Sequence, residues 1–414
     1  MDIDFPFYTP VLRVHQRIGS FYVAVLPSDL LLQVSASDTL RAIMNPDGNG
    51  YTLDGTQRVT QDKRLTEIAE YIERMDSTFP NSIIIAANYD QDTGLDQFEL
   101  EAMNAEESGE AENPEDSLAW RIVEDNKGCC QLIIPSAKKL AAIIDGQHRL
   151  FSFANTDEKT RDSMELVCSI FLDLPKALQA QIFAVINSNQ KKVDRSLTYE
   201  LFGYNVSDEP EEYWTPDKLA VFLSRKLSTD DSSPIRGRVI VAPKRDSELQ
   251  KLASEATWKV STAVVVDGVL RLYSSNPKRD ANTMRKDRAQ TRSVLRDSHR
   301  DSSPLRDAFI DGNDALIYQM VTNYLSAAHE IFWDNAQENS YIYRTIGFQA
   351  ILDILRKIAG DAYQKKDIRK AYFKAILEPA GEIDFSTEEF RNLSGSGRTY
   401  IRKAIEEKIG LTPV

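Results

Sequence analysis

The chain has 414 residues, 42% of them hydrophobic, and a formal net charge of -13. That length fits two or three domains, and the acidic balance excludes a generally basic, DNA-coating protein. No apolar run is long enough to cross a bilayer. The opening MDIDFPFYTP lacks the basic-then-apolar layout of a signal peptide, so a cytoplasmic protein with no membrane partner is expected. Cys129, Cys130 and Cys168 lie in apolar strand-like runs and read as buried core thiols. No Cys-x-x-Cys pair or His-rich cluster suggests a structural zinc site.

In chain order, SFYVAVLPSDLLLQVS reads as a strand followed by a short helix. Leu65, Ile68, Ala69, Ile72 and Met75 recur at helical spacing, and FPNSIIIAANY follows as a turn and a strand. Between Asp90 and Asp116 stand eleven acidic residues and no Lys or Arg, so without that segment the net charge falls from -13 to -2. The segment reads as a solvated insertion, and it leaves room for a local basic surface elsewhere. Strands are expected again at AWRIVE, CCQLIIP and ELVCSIFLDL. KALQAQIFAVINSNQ reads as a helix with Leu178, Ile182, Val185 and Ile186 on its buried side. PDKLAVFLSRKL and VSTAVVVDGVLRLY read as helices of a middle region. Lys278 to Arg306, rich in Arg, Asp and Ser, reads as a loop, a charged helix or a DNA-contacting arm. The last third is helical, marked by Ile317, Met320, Val321, Tyr324 and Ala328, by Phe348, Ile351, Leu352, Leu355 and Ile358, and by Ile401, Ala404, Ile405 and Ile409.

The chemistry concentrates in IIDGQHRLFSF, residues 143–153, where a strand feeds a helix through Asp145-Gly146. Asp145 can cap the helix and Gly146 permits a positive φ or close backbone approach. The free N–H groups of the helix start, with the forked cation of Arg149, suit a phosphate. His148 can donate a hydrogen bond or move a proton. A glycine turn whose arginine pairs with a nearby carboxylate has the same appearance in sequence. Asn187, Asn189 and Gln190 end an apolar helix and are followed by Lys191 and Lys192; amides can read a base or ribose and lysines can meet phosphate. As plain structure, the same residues are a helix C-cap with exposed basic residues. Gln57, Arg58, Lys63 and Arg64 form a further polar cluster, in which a loop and first helical turn are the simpler reading. SGSGR, ending at Arg398, opens the last helix and could hold an anion on backbone N–H groups, though a lone Gly-Ser turn is nonspecific.

IIDGQHRLFSF resembles the signature of the DGQHR-domain family, which includes DndB-like proteins of DNA-modification clusters. QRVTQDKRLTEIAEYI with FPNSIII looks like that family's upstream region, IFAVINSNQKKVDRSL like its downstream region, and GFQAILDIL and SGSGR like its C-terminal features. The family is similar in layout to ParB/sulfiredoxin-like domains, whose Gly-x-x-Arg turn binds nucleotide phosphates; Gly146 and Arg149 match that pattern. No cysteine occupies the turn, so sulfiredoxin chemistry is not expected. The resemblance implies an α+β chain. A ParB/sulfiredoxin-like domain would fill 1–200, with the acidic insertion near 90–116. A mixed or helical region would follow at 201–310, carrying the basic segment 278–306, and a helical region at 311–414.

The resemblance further implies a nucleotide-binding, NTP-hydrolysing component of a DNA-modification or defence system of the phosphorothioate or 7-deazaguanine type. ATP comes first and CTP second, with Mg2+ bridging phosphate oxygens. Gly146, Gln147, Arg149, Asn187, Asn189 and Gln190 are the candidate nucleotide contacts, and Asp145 and His148 the candidate catalytic groups. Gln57, Arg58, Lys191, Lys192, Arg285, Lys286 and Arg288 are the candidate DNA contacts. DNA and modification enzymes of the same system are the expected partners, and self-association is left open. The rival reading is a DNA-binding transcriptional regulator without hydrolysis. A third is a scaffold recruiting an enzyme through the acidic insertion.

Overall fold

A computed structural model describes residues 3–37, 41–44, 51–54, 61–88, 118–189, 194–202, 209–241, 247–286, 288–334, 336–391 and 396–411. The acidic stretch 90–116 lies outside the described residues. The fold is mixed α/β and divides into two compact units, Met1–Lys191 and Lys192–Val414.

The first unit is built on β1 (Phe7–Gln16), β2 (Gly19–Pro27), β3 (Ser35–Ala36), β4 (Arg41–Met44), β5 (Tyr51–Asp54), β6 (Ile83–Ala87), β7 (Arg121–Glu124), β8 (Cys130–Ile134), β9 (Ala141–Asp145) and β10 (Glu165–Leu172). Eight of them form one sheet in the order β3-β9-β6-β10-β2-β1-β8-β7, while β4 and β5 pair separately. β6 runs parallel to β10 and antiparallel to β9, so β9 carries its C-terminal end toward the start of β6. Alternate residues Ile83, Ile85, Ile143, Cys168 and Ile170 point into one core with Leu30, Leu31, Leu150 and Phe153 from covering helices. Each such fully buried side chain contributes about 1.5–3 kcal/mol relative to exposure.

Several local expectations need correction. β1 has no counterpart in the sequence reading, because Pro10 and the polar Arg13 and His15 break the apolar alternation. The structure tolerates Pro10 because β1 pairs with β8 over residues 7–11 and with β2 only from Leu12 onward. The helix Asp62–Ile72 stops before Met75, which is 60% exposed. On the helix Lys176–Asn189, Val185 is 52% exposed. The inward stripe there is Gln179, Ile182, Phe183 and Ile186, and Val185 falls beside it. Cys130 and Cys168 are buried as expected, but Cys129 is exposed.

Among its described residues, the second unit is helical apart from two paired two-residue strands, Val239–Ile240 and Val260–Ser261. Its core joins the helices Pro216–Thr229, Thr262–Leu270, Asp314–Ala328, Thr345–Gln364 and Ser396–Lys408. Every apolar marker named for Asp314–Ala328 and Thr345–Gln364 is buried. Gly268 allows Thr262–Leu270 to approach Thr345–Gln364 closely; a Cβ there would stand 2.1 Å from Cδ1 of Leu352.

Candidate functional site

β9 is apolar up to Asp145, and the chain turns at Gly146 into the helix Gln147–Ser152. Gly146 has φ 98°, in the left-handed region that a Cβ disfavours. An added Cβ would also stand 2.6 Å from Cδ1 of Ile83 and 3.0 Å from Nη2 of Arg149. Conformation and space both require glycine.

Arg149 fixes the turn to the start of β6. Its Nη1 donates to the carbonyl of Asn81 at 2.6 Å, and its Nη2 donates to the carbonyl of Ser82 at 3.1 Å and to Asp145 Oδ2 at 3.2 Å. Among the described residues, three of the five guanidinium N–H groups are engaged. Burial pushes the nearby Cys168 thiol up to about 12, against the pull of Arg149, so this cysteine stays protonated at neutral pH. Gln147 is buried and its Oε1 accepts from Ser37 Oγ at 2.7 Å, which ties the first helical residue to the segment after β3.

His148 has different surroundings. Its Nε2 is buried and has no hydrogen-bond partner among the described residues. Burial lowers its pKa, and the positive charge of Arg64 lowers it further, so the ring is neutral at pH 7. Arg64 belongs to Asp62–Ile72, which packs against Gln147–Ser152. In the tautomer protonated at Nε2, this neutral imidazole is a donor without an acceptor, set beside a cation, an arrangement that suits an incoming anion.

The structure brings Asp145, Gly146, Gln147, His148 and Arg149 together in this turn. Asn187 donates from Nδ2 to the carbonyl of Phe183 at 2.9 Å, within its own helix. That helix packs against β9. The side chain of Asn189, and Gln190, Lys191, Lys192, Gln57 and Arg58 entirely, lie outside the described residues. Arg64, Ser37 and the carbonyls of Asn81 and Ser82 complete the turn's surroundings. Only Arg64 carried a signal in sequence, through its basic cluster; backbone carbonyls carry none.

In the Lys278 to Arg306 segment several arginines are engaged within the fold. The segment forms the helix Pro277–Arg285 and a 3-10 turn, Arg292–Arg296, before the helix Arg306–Ile310. Arg292 is 2% exposed and forms a two-point bridge to Asp314, at 2.6 and 3.0 Å, while its Nε donates to the carbonyl of Trp214. Arg306 bridges the fully buried Asp280 at 2.5 and 2.8 Å. Arg296 pairs with Asp311 at 2.5 Å. Arg285 is half-buried at the end of its helix, while Lys286 and Arg288 are exposed.

Among the described residues, no helix is long and apolar enough to cross a membrane, and no group of three His, Cys, Asp or Glu could hold a metal ion. The family model described as DndB, DNA-sulfur modification-associated, matches residues 9–215, half of the chain. No curated protein and no solved structure matches. The matched span contains the Asp145–Arg149 turn, the polar cluster at 187–192 and the cluster at 57–64. The chain belongs to the DndB family of DNA-sulfur modification-associated proteins.

Proposed function

We propose that this protein is the nucleotide-binding, NTP-hydrolysing component of a DNA-sulfur modification system, and that the Asp145–Arg149 turn receives the phosphates. The observation that carries this reading is the buried, unpartnered Nε2 of His148 beside Arg64. An anion there would take the free imidazole donor, the charge of Arg64 and N–H groups of Arg149. The spacing of Gly146 and Arg149 resembles the Gly-x-x-Arg turn of ParB/sulfiredoxin-like proteins, which binds nucleotide phosphates. The described residues hold no ready-made metal cluster, so Mg2+ would arrive on the nucleotide's own phosphates, with Asp145 as the carboxylate nearest to hand. Bound Mg2+ would neutralise phosphate charge. His148 would hold a phosphate oxygen, and Asp145 would keep Arg149 in place. Asn187, Asn189 and Gln190, on the helix against β9 and just beyond it, would reach the base or ribose.

Titration calorimetry with ATP and with CTP, each with Mg2+, tests this. Wild type is compared with His148→Phe and Arg64→Gln, which spare the bracing contacts of Arg149. Binding by wild type that weakens in both variants is expected. Equal, weak heats in all three proteins would remove the phosphate site. The alternative, a DNA-binding regulator without hydrolysis, keeps the exposed Arg288 as a contact, because Arg292, Arg296 and Arg306 already hold carboxylates.

A further inference from the structure

The segment SGSGR is not absorbed by the phosphate turn, and its arginine opens onto a second basic site. Arg398 lies in the first turn of Ser396–Lys408. It faces a small hollow, open to solvent, whose walls are one face of each of two other helices. Thr262–Leu270 supplies Asp267 and Gly268, with Arg271 just beyond its end, and Thr345–Gln364 supplies Gln349, Asp353 and Arg356. These spacings of three and four residues put each set on one side of its helix. The close approach at Gly268 and Leu352 forms the floor.

The charges do not balance locally. Asp353 accepts from Arg398 at Nε, 2.6 Å, and at Nη2, and Arg271 Nη1 stands 3.6 Å from the same carboxylate. One carboxylate therefore holds two guanidiniums. Arg356 is exposed and has no ion-pair or hydrogen-bond partner among the described residues. Asp267 is engaged on the other side, accepting from Tyr199 at 2.6 Å and from Arg195 at 2.8 Å, with Arg195 69% exposed. Four guanidiniums, Arg195, Arg271, Arg356 and Arg398, thus stand against two carboxylates, Asp267 and Asp353, in a chain whose formal net charge is -13. The carboxylates hold the arginines in place but do not neutralise them. The unengaged N–H groups of Arg271, Arg356 and Arg398, with the amide of Gln349, converge on an open concavity.

We propose that this hollow is an anion site separate from the Asp145–Arg149 turn, and that its ligand is the phosphodiester backbone of a nucleic acid strand. The hollow is open and too small to enclose a nucleotide, so a ligand enters it by one phosphate with its remainder outside. The other guanidiniums, out to the exposed Arg195, then meet neighbouring phosphates of the same strand. All the residues involved lie in the second unit. Except for Arg195 and Tyr199, they lie beyond the span matched to the family.

The test uses the full chain and fluorescence anisotropy with labelled single-stranded and duplex oligonucleotides across a salt series, with inorganic phosphate as competitor. Arg356→Gln is the first variant, since Arg356 has no partner to strand. Arg271→Gln is the second. Both should melt with wild type and bind ATP or CTP as wild type does. Each should weaken oligonucleotide binding about three- to tenfold and lower the slope of log affinity against log salt by about one. Oligonucleotide binding that both variants retain, with the wild-type slope, overturns the proposal. So does binding of inorganic phosphate alone, or no binding at all. Failure of the nucleotide titration leaves this result standing, and the reverse holds too, because the two sites share no residue.

Discussion

The Asp145–Arg149 turn and the Lys278–Arg306 segment both look like places where arginine meets a ligand, yet the structure uses their arginines differently. Arg149 is 19% exposed and braces a turn through two backbone carbonyls and one carboxylate. Arg292 and Arg306 are buried and each forms a two-point bridge to a single aspartate. The difference lies in the partners. A carboxylate bridged at both oxygens balances the charge of Arg292 and of Arg306 in the core, where the carbonyls of Trp214, Phe309 and Tyr273 take further donors, whereas Arg149 is met mainly by neutral carbonyls and keeps part of its surface open. Of these carboxylates only Asp280 lies within the segment; Asp311, the partner of Arg296, and Asp314, the partner of Arg292, follow it in the chain.

The sharpest way to break the comparison is to remove the cations. Arg292→Met strands the 8% exposed Asp314 in the core and should cost about 3–5 kcal/mol. Arg149→Met leaves groups that water can reach and should cost roughly 1–3 kcal/mol. Urea unfolding of the two variants side by side decides the matter, and equal losses would erase the distinction. Next in size, Gly146→Ala should lose about 1–3 kcal/mol, since it places a Cβ on a left-handed residue against Ile83. A thermal melt indistinguishable from wild type would mean that the turn relaxes freely.

A smaller effect, of opposite sign, should come from Asp217, in the first turn of Pro216–Thr229. Burial pushes its carboxyl up to about 6, only partly offset by its own backbone N–H, and the nearby Asp280 adds to the rise. A carboxyl raised in the folded state stabilises the fold below its unfolded value near 4, and that contribution is lost as pH rises through about 6. Asp217→Asn should therefore gain about 1–2 kcal/mol at pH 8 and nothing at pH 4. A pH-independent gain would point to packing instead. The smallest effect belongs to Arg288, exposed and unlike Arg292: Arg288→Ala should change stability by less than about 0.5 kcal/mol. A larger loss in the same unfolding assay would place Arg288 within the buried network.

Much of the fold was legible wherever apolar residues repeat with a clear period. Phe348, Ile351, Leu352, Leu355 and Ile358 foretold the helix Thr345–Gln364, and ELVCSIFLDL foretold β10. The pattern failed where period and packing part company. Pro10 hid β1, and Val185 sits one residue off the stripe that packs. At the turn, Gly146 and Arg149 stood out, and Arg64 was visible as part of a basic cluster.

The sequence by itself determined the local chemistry of this protein: helix and strand periods, the glycine a left-handed turn demands, and the charges available to each segment. These depend on near neighbours in the chain. Only the tertiary structure decided which charges are used up. Arg292 finds Asp314 22 residues away, Arg306 finds Asp280 26 away, Arg398 finds Asp353 45 away, and Arg149 finds Asn81 68 away. Whether an arginine braces the fold or stays open to an anion depends on how far such distant partners bury it and balance its charge, and sequence spacing does not encode that.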